Sequence, residues 1–212
     1  MENNRKNKAN RPSKKLLLAL TTVAVMLIFM LRISANSGAT KLEAVEPELV
    51  TKAKRDSVKS VQAFEKVYSV LKSPRCVNCH PAGDVPLQGD DSHLHAMLPQ
   101  RGADGKGILT MKCTNCHQPE NTAGANTPPG NSVWHLPPAD MKMVFEGKSA
   151  HELAKQLMDP AQNGNKDVKA LIAHADDALV LWGWAPGEGR SLPPLSHKEF
   201  KEAWITWLKN GA

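Results

Sequence analysis

Two copies of one five-residue pattern, Cys-x-x-Cys-His, constrain this 212-residue chain more than any other feature. The copies span Cys76–His80 and Cys113–His117, and together they use all four cysteines of the sequence. Two thiols at this spacing, followed directly by a histidine, are typical of covalent attachment of a c-type haem. We therefore predict two haem c groups, with His80 and His117 as the proximal iron ligands. The predicted attachment residues are Cys76, Cys79, Cys113 and Cys116.

Two other uses of four cysteines compete with haem. Four thiolates can bind structural zinc, but the 33 residues between Cys79 and Cys113 exceed the usual zinc-ribbon spacing. Two disulfides are also compatible with an exported protein. The disulfide alternative gives no role to the two histidines that follow the pairs, so haem remains the preferred interpretation.

The amino-terminal pattern of charge and hydropathy predicts export. Six of the first fifteen residues are Lys or Arg and one is acidic, and the sixteen residues from Leu16 to Leu31 then carry no charge. A basic flank before an apolar stretch holds the amino end in the cytoplasm and sends the rest across the membrane. We predict that residues 1–40 are a signal peptide or signal anchor. The protein would lie on the periplasmic side of a bacterial inner membrane, anchored by residues 16–31, or be soluble in the periplasm if the segment is cleaved. Arg32 directly after the apolar run favours the anchor slightly.

The net charge of +6 resides in the same amino-terminal segment. Residues 1–35 contain seven Lys or Arg and one acidic residue, which leaves twenty residues of each sign in 36–212. The predicted exported part is therefore formally neutral, and haem propionates would make it acidic. This balance argues against a nucleic-acid partner.

The remaining sequence predicts a mainly α fold with long irregular loops, in which helices pack around two covalently bound haems. We expect residues 41–72 to form a helical spacer and 73–212 to form a dihaem cytochrome c domain. In the spacer, the apolar residues recur at the interval of one helical face. They are Val58, Val61, Phe64, Tyr68 and Leu71. Val61 and Phe64 are expected to pack on the haem domain, and Ser73-Pro74 to end the helix.

Three helices are predicted in the second half of the chain. The pairs Ser149/Glu152 and Ser196/Glu199 are capping boxes, each of which starts a helix with an apolar face. Asp167 to Leu181 is expected to form one further helix between them. By contrast, segments 81–110 and 118–138 are dense in Gly, Pro, Asn and Asp and show no period, so they are expected to be loops held by the haems.

Six histidines outside the two motifs could supply the sixth ligand of each iron, and methionine is the main competitor. The histidines are His93, His95, His135, His151, His174 and His197, and the methionines of the predicted haem domain are Met97, Met141, Met143 and Met158. His151 and His197 lie at helix starts, where exposure or capping is expected. His174 lies within a predicted helix that can lean over a haem face, His135 lies in a rigid Pro-rich loop, and one of the pair His93 and His95 would suffice.

These motifs together resemble a family of bacterial periplasmic dihaem cytochromes often labelled as an isoquinoline 1-oxidoreductase subunit. The resemblance runs from about Pro74 to the end. Beside the two haem motifs, it includes Arg101-Gly102, 134–138, 143–147, Asp159-Pro160 and 182–184. It favours His95, His135 and His174 over the other three histidines without deciding between them. We take His95 and His174 as the distal ligands, with His135 as the alternative. It also implies that the chain serves a molybdenum hydroxylase-type dehydrogenase as an electron acceptor, since the chain itself lacks the cysteines of an iron–sulfur hydroxylase.

The expected function is electron transfer between a periplasmic dehydrogenase and the respiratory chain. Two histidines on each iron leave no open coordination position, which suits a carrier. The alternative is a small dihaem enzyme, such as a peroxidase or oxidoreductase, in which one iron lacks a sixth protein ligand.

Overall fold

The computed structural model describes residues 39–212, and it describes side chains from residue 48 onward. The chain divides into two compact units, residues 1–54 and 55–212. The predicted export segment lies outside the described residues. Among those described, no helix is both long and apolar enough to cross a membrane.

The first helix, α1 (Ala39–Leu71), ends before Ser73-Pro74, as the sequence predicts. Its second half contributes one buried face to the core of unit 55–212. Phe64 is 5% exposed, and its ring lies 4.6 Å from that of Trp207 between centroids. Val61, in contrast, is 60% exposed, so the expectation that it packs on the domain is wrong. Phe64 and Val67 define the buried face, and Val61 lies on the opposite side.

The two motifs lie in irregular chain with little secondary structure. A short helix, α2 (Pro74–Val77), carries the first motif, and a 3-10 turn, Cys113–Asn115, carries the second. Two antiparallel pairs of two-residue strands lie between these elements in the described chain: β1 (Leu87–Gln88) with β2 (His93–Leu94), and β3 (Gly107–Ile108) with β4 (Met111–Lys112). From residue 118 to 138 the chain has no regular element.

Five helices follow in the second half. They are α3 (Ala150–Met158), α4 (Pro160–Asn163), α5 (Val168–His174), α6 (Ala178–Trp182) and α7 (His197–Lys209). Both predicted capping boxes are present, at Ser149 and Ser196. The prediction of one helix from Asp167 to Leu181 is wrong, because the chain leaves the helical conformation at Asp177 and restarts as α6.

One apolar core joins α1, α3, α5 and α7. Leu153 of α3 and Leu171 of α5 are almost fully buried, and three aromatic residues of α7 complete the cluster. These are Phe200, Trp204 and Trp207. The indole of Trp204 also donates a hydrogen bond to the carbonyl of Leu171 at 2.8 Å, which fastens α5 to α7. The expectation of a mainly helical fold is confirmed.

The two faces of α1 give a direct test of this packing. Phe64→Ala is expected to lower the free energy of unfolding by about 3–5 kcal/mol, because it removes a buried ring from a close-packed core. Val61→Ala, on the exposed face of the same helix, should change it by no more than about 0.5 kcal/mol. Urea denaturation followed by circular dichroism measures both. Equal losses in the two variants would contradict the described packing of α1.

Candidate functional site

The histidine of the first motif is held in one orientation by a distant segment. Its Nδ1 lies 2.7 Å from the carbonyl oxygen of Met143, to which it donates, and its ring stacks on Phe145 with centroids 3.9 Å apart. The amide of Phe145 in turn donates to the carbonyl of His80 at 2.9 Å. With the Nδ1 proton committed to a carbonyl, the neutral ring has its free lone pair on Nε2. His80 is therefore in the tautomer that a metal ligand requires.

The second motif repeats this arrangement with different residues. The Nδ1 of His117 lies 2.7 Å from the carbonyl oxygen of Pro129, and the ring stacks on Trp134 with centroids 4.3 Å apart. The two backbones also share one turn, since the amide of the second cysteine donates to the carbonyl of the first in both motifs, Cys79 to Cys76 and Cys116 to Cys113. Each motif thus presents a histidine fixed by a backbone carbonyl and an aromatic face.

An apolar cavity opens in front of the first motif. Cys76, Cys79 and His80 line it on one side, and His174 lines it together with residues of α6. Burial raises the pKa of the Cys76 thiol to about 12 and that of Cys79 to about 11, so both thiols are neutral. Burial also lowers the pKa of His80 to about 4, and the neighbouring His174 acts in the same direction. A neutral imidazole and His174 therefore share one largely apolar cavity.

His174 is oriented as His80 is, but by a carboxylate. Its Nδ1 lies 2.6 Å from Oδ2 of Asp177, three residues further along the chain. His135, the alternative, lines the same cavity and its Nδ1 donates to the carbonyl of Leu136 at 2.8 Å. Met141 and Met143 line it as well. Of these candidates, His174 is the histidine that contributes to the lowered pKa of His80, after the larger effect of burial.

The second motif faces His95. The ring centroids of His95 and His117 are 6.3 Å apart. The two imidazoles are thus near enough that both could be ligands of one iron atom. His93, the competing neighbour, is instead exposed and bound to Asp91 at 2.6 Å. The structure thus separates two histidines that lie two residues apart.

The last three candidates are two histidines and one methionine. His151 is exposed. His197 lies at the start of α7, as expected, and bonds the carbonyl of Ala175 at 2.9 Å. Met97 is 64% exposed. None of these three residues lines the cavity of the first motif.

The two motifs lie close to each other. Burial, which raises the pKa of Cys79, and Arg75, which lowers it, have the largest effects. Cys113 of the second motif also raises the pKa of Cys79 in the first. Trp134 links the two sites directly, because its ring stacks on His117 while it also lines the cavity of the first motif. It meets Trp182 edge-on there, with centroids 5.0 Å apart.

Two buried arginines lie beside the first motif, and the sequence analysis assigns neither of them a role. Arg75 is 5% exposed and Arg101 is 1% exposed, and burial lowers the pKa of each guanidinium. Arg75 bonds Asp90 at 2.6 Å, and Arg101 donates to two backbone carbonyls. The Nε of Arg75 has no hydrogen-bond partner among the described residues, whereas the Nε of Arg101 lies 3.4 Å from Oδ1 of Asp84. The sequence signal for Arg75 is its position directly before the first Cys-x-x-Cys-His motif, where a positive charge would lie beside any group that the motif binds.

These features fit a haem better than the competing interpretations. A haem iron needs only two protein ligands, its propionates would supply an anion for the Nε of Arg75, and its porphyrin would fill an apolar cavity. In the described residues no group of three or more His, Cys, Asp or Glu side chains converges as a metal site, as zinc would require. All four cysteines are free thiols, so the disulfides are not formed.

Comparisons with protein-family models, with curated proteins and with solved structures found no match for this chain. The resemblance described above therefore stays an expectation.

A glycine turn holds the second motif in place and can be tested with a matched pair. Gly105 has φ of +77°, and an added Cβ would lie 1.9 Å from the carbonyl oxygen of Leu136. Gly147 has nearly the same φ, +74°, but open space around it. Gly147→Ala should cost about 1–2 kcal/mol for the left-handed backbone alone. Gly105→Ala should cost clearly more, because the loop must also move away from Leu136. The thermal unfolding midpoints of both variants measure this, and equal shifts would contradict the tight approach.

Proposed function

We propose that this protein is a dihaem c-type cytochrome that carries electrons. One observation carries the proposal: the histidine of each Cys-x-x-Cys-His motif is fixed through Nδ1 by a backbone carbonyl and stacked on an aromatic ring. Two independent segments, 143–145 and 129–134, produce the same ligand geometry at the two motifs. Chance contacts would not be expected to repeat both the hydrogen bond and the stacking.

The proposed ligand pairs are inferred from which histidines share a cavity or have their rings close together. His80 pairs with His174 across the first cavity, and His117 pairs with His95 at the second motif. Cys76 and Cys79 hold the first porphyrin, and Cys113 and Cys116 hold the second. When bound, each haem supplies an iron that accepts and releases one electron.

The polypeptide supplies the other properties that an electron carrier needs, namely fixed ligands, compensating charge and contact between the two sites. Carbonyl and carboxylate partners hold the imidazoles of His80, His117 and His174 in one orientation, so these rings have to move little when the charge on the iron changes. Arg75 and Arg101 place positive charge beside the first site, where it offsets the propionates. Trp134 brings the two sites into contact, and this suits the passage of an electron from one to the other.

The location and partner are proposed from the sequence alone. A basic flank and the apolar run 16–31 support delivery to the periplasmic side of the inner membrane. A neutral polypeptide made acidic by propionates supports a protein redox partner of the dehydrogenase type. The chain would take electrons from that enzyme and pass them towards the respiratory chain.

Haem content tests the proposal directly. The full chain, matured in a bacterial periplasm with a c-type haem attachment system, is expected to carry two covalent haems. Pyridine haemochrome spectra and the intact mass measure this number. Replacing Cys76 and Cys79 together by Ala should leave one haem, and replacing all four cysteines should leave none. A wild-type chain that binds no haem, or that binds zinc instead, would refute the proposal.

The second ligand pair is tested by the histidines that flank Leu94. His95→Ala should convert one of the two ferric haems from low spin to high spin, because its iron loses a strong-field ligand. His93→Ala, the matched control, should leave both haems low spin. Electron paramagnetic resonance of the oxidised protein distinguishes the two states. A high-spin signal in the His93 variant, or its absence in the His95 variant, would show that the assignment is wrong.

A further inference from the structure

The two proposed distal histidines are held in opposite ways. On the first site, Asp177 accepts the Nδ1 proton of His174 at 2.6 Å, so the lone pair of Nε2 is free before any iron binds. On the second site, Nδ1 of His95 is itself an acceptor, of the Met97 amide at 3.3 Å. A neutral imidazole that accepts at Nδ1 has its proton on Nε2. The hydrogen bonds therefore leave Nε2 of a neutral His174 free to bind iron, whereas Nε2 of a neutral His95 carries the proton.

Ligation by His95 costs this hydrogen bond whichever nitrogen is used. A bond through Nδ1 takes the lone pair that the amide of Met97 occupies. A bond through Nε2 requires the proton to move to Nδ1, where it would face the same amide hydrogen. His174 gives up nothing of this kind, and a carboxylate partner strengthens its donation to a metal.

The backbone around each histidine points the same way. His174 ends α5, whose Leu171 is 2% exposed and is fastened to α7 by the indole of Trp204. His95 instead lies in a surface loop beside Leu94, Met97 and Leu98, which are 59%, 64% and 57% exposed. Hydrogen bonds with Pro86 and Leu98 hold the main chain of His95, but the side chains beside it are exposed, so this loop packs less tightly than α5 does.

Asp177 binds His174 and does not cap its own helix with its side chain. It is the N-cap residue of α6, a position where Asp normally accepts a backbone hydrogen bond. Asp159 and Asp167 do so at the starts of α4 and α5, but the side chain of Asp177 makes no such bond. The carboxylate is directed to the imidazole instead, at the expense of the cap.

We propose that the second haem is a binding site for a small diatomic ligand, because His95 is an exchangeable sixth ligand, whereas Asp177 keeps His174 on the first iron. This inference rests on the proposed function, since it concerns the haems that the motifs would bind. One ligand molecule then replaces His95 at the second iron of the reduced protein, with no change in the oxidation state of either iron. The first haem stays closed and continues to exchange electrons.

Carbon monoxide tests the inference on the full, haem-loaded chain. The reduced wild-type protein is expected to bind one carbon monoxide per two haems, measured by titration of the absorbance change. His95→Ala should still bind one, and faster, because no ligand has to leave. Asp177→Ala should raise the number from one to two by loosening His174. Asp176→Ala is the control and should leave it at one, since Asp176 bonds Lys201 on α7 and not His174.

The outcomes are separable from those of the haem count, which is measured first on the same samples. A chain without two covalent haems defeats the proposed function. A two-haem chain that binds no carbon monoxide, or two, overturns the present inference alone. Two molecules bound by His95→Ala would also overturn it, because the labile site would then be the first. If His95→Ala fails to mature, a value of one for Asp177→Ala overturns it equally.

Discussion

A hydrogen bond from the Nδ1 atom of each motif histidine to a backbone carbonyl organises much of this structure. His80 reaches Met143, which lies 63 residues further along the chain, and His117 reaches Pro129, 12 residues away. To present its carbonyl, the backbone of Met143 adopts a positive φ of +47°, which is strained for a residue other than glycine. The segment before α3 is thereby tied to the first motif, and the irregular chain after the second motif is tied to the ring that it surrounds.

Electrostatics add a second constraint on the same region. Arg75 and Arg101 are charged groups in a place that excludes water, and backbone carbonyls with one exposed carboxylate each are their main compensation. A buried charge left partly uncompensated destabilises a fold. Two such charges beside the cysteines of the first motif therefore suit a group that brings its own anions, and the proposed haem would do so through its propionates.

The sequence predicted those elements that local signals determine. Both capping boxes and the end of α1 before Ser73-Pro74 follow from short-range rules, and the structure has them. The sequence could not predict the break at Asp177. Its side chain can either cap α6 or bind the ring of His174, and tertiary position decides which of the two it does. The burial of Phe64 but not Val61 likewise depends on where α7 packs. In the site, the motif pattern identified the cysteines and their histidines as candidates. The separation of His93 from His95 required the three-dimensional path of the chain.

Trp134 gives the two sites a common wall. The same indole stacks on the histidine of the second motif and closes part of the cavity at the first. If both sites hold haem, as proposed, the two cannot be assembled as independent modules. Fixing His117 at one haem also fixes one boundary of the space that receives the other. The order in which the haems are attached then becomes a property of the fold, and a chain that is loaded at the first motif alone would have an incompletely formed wall.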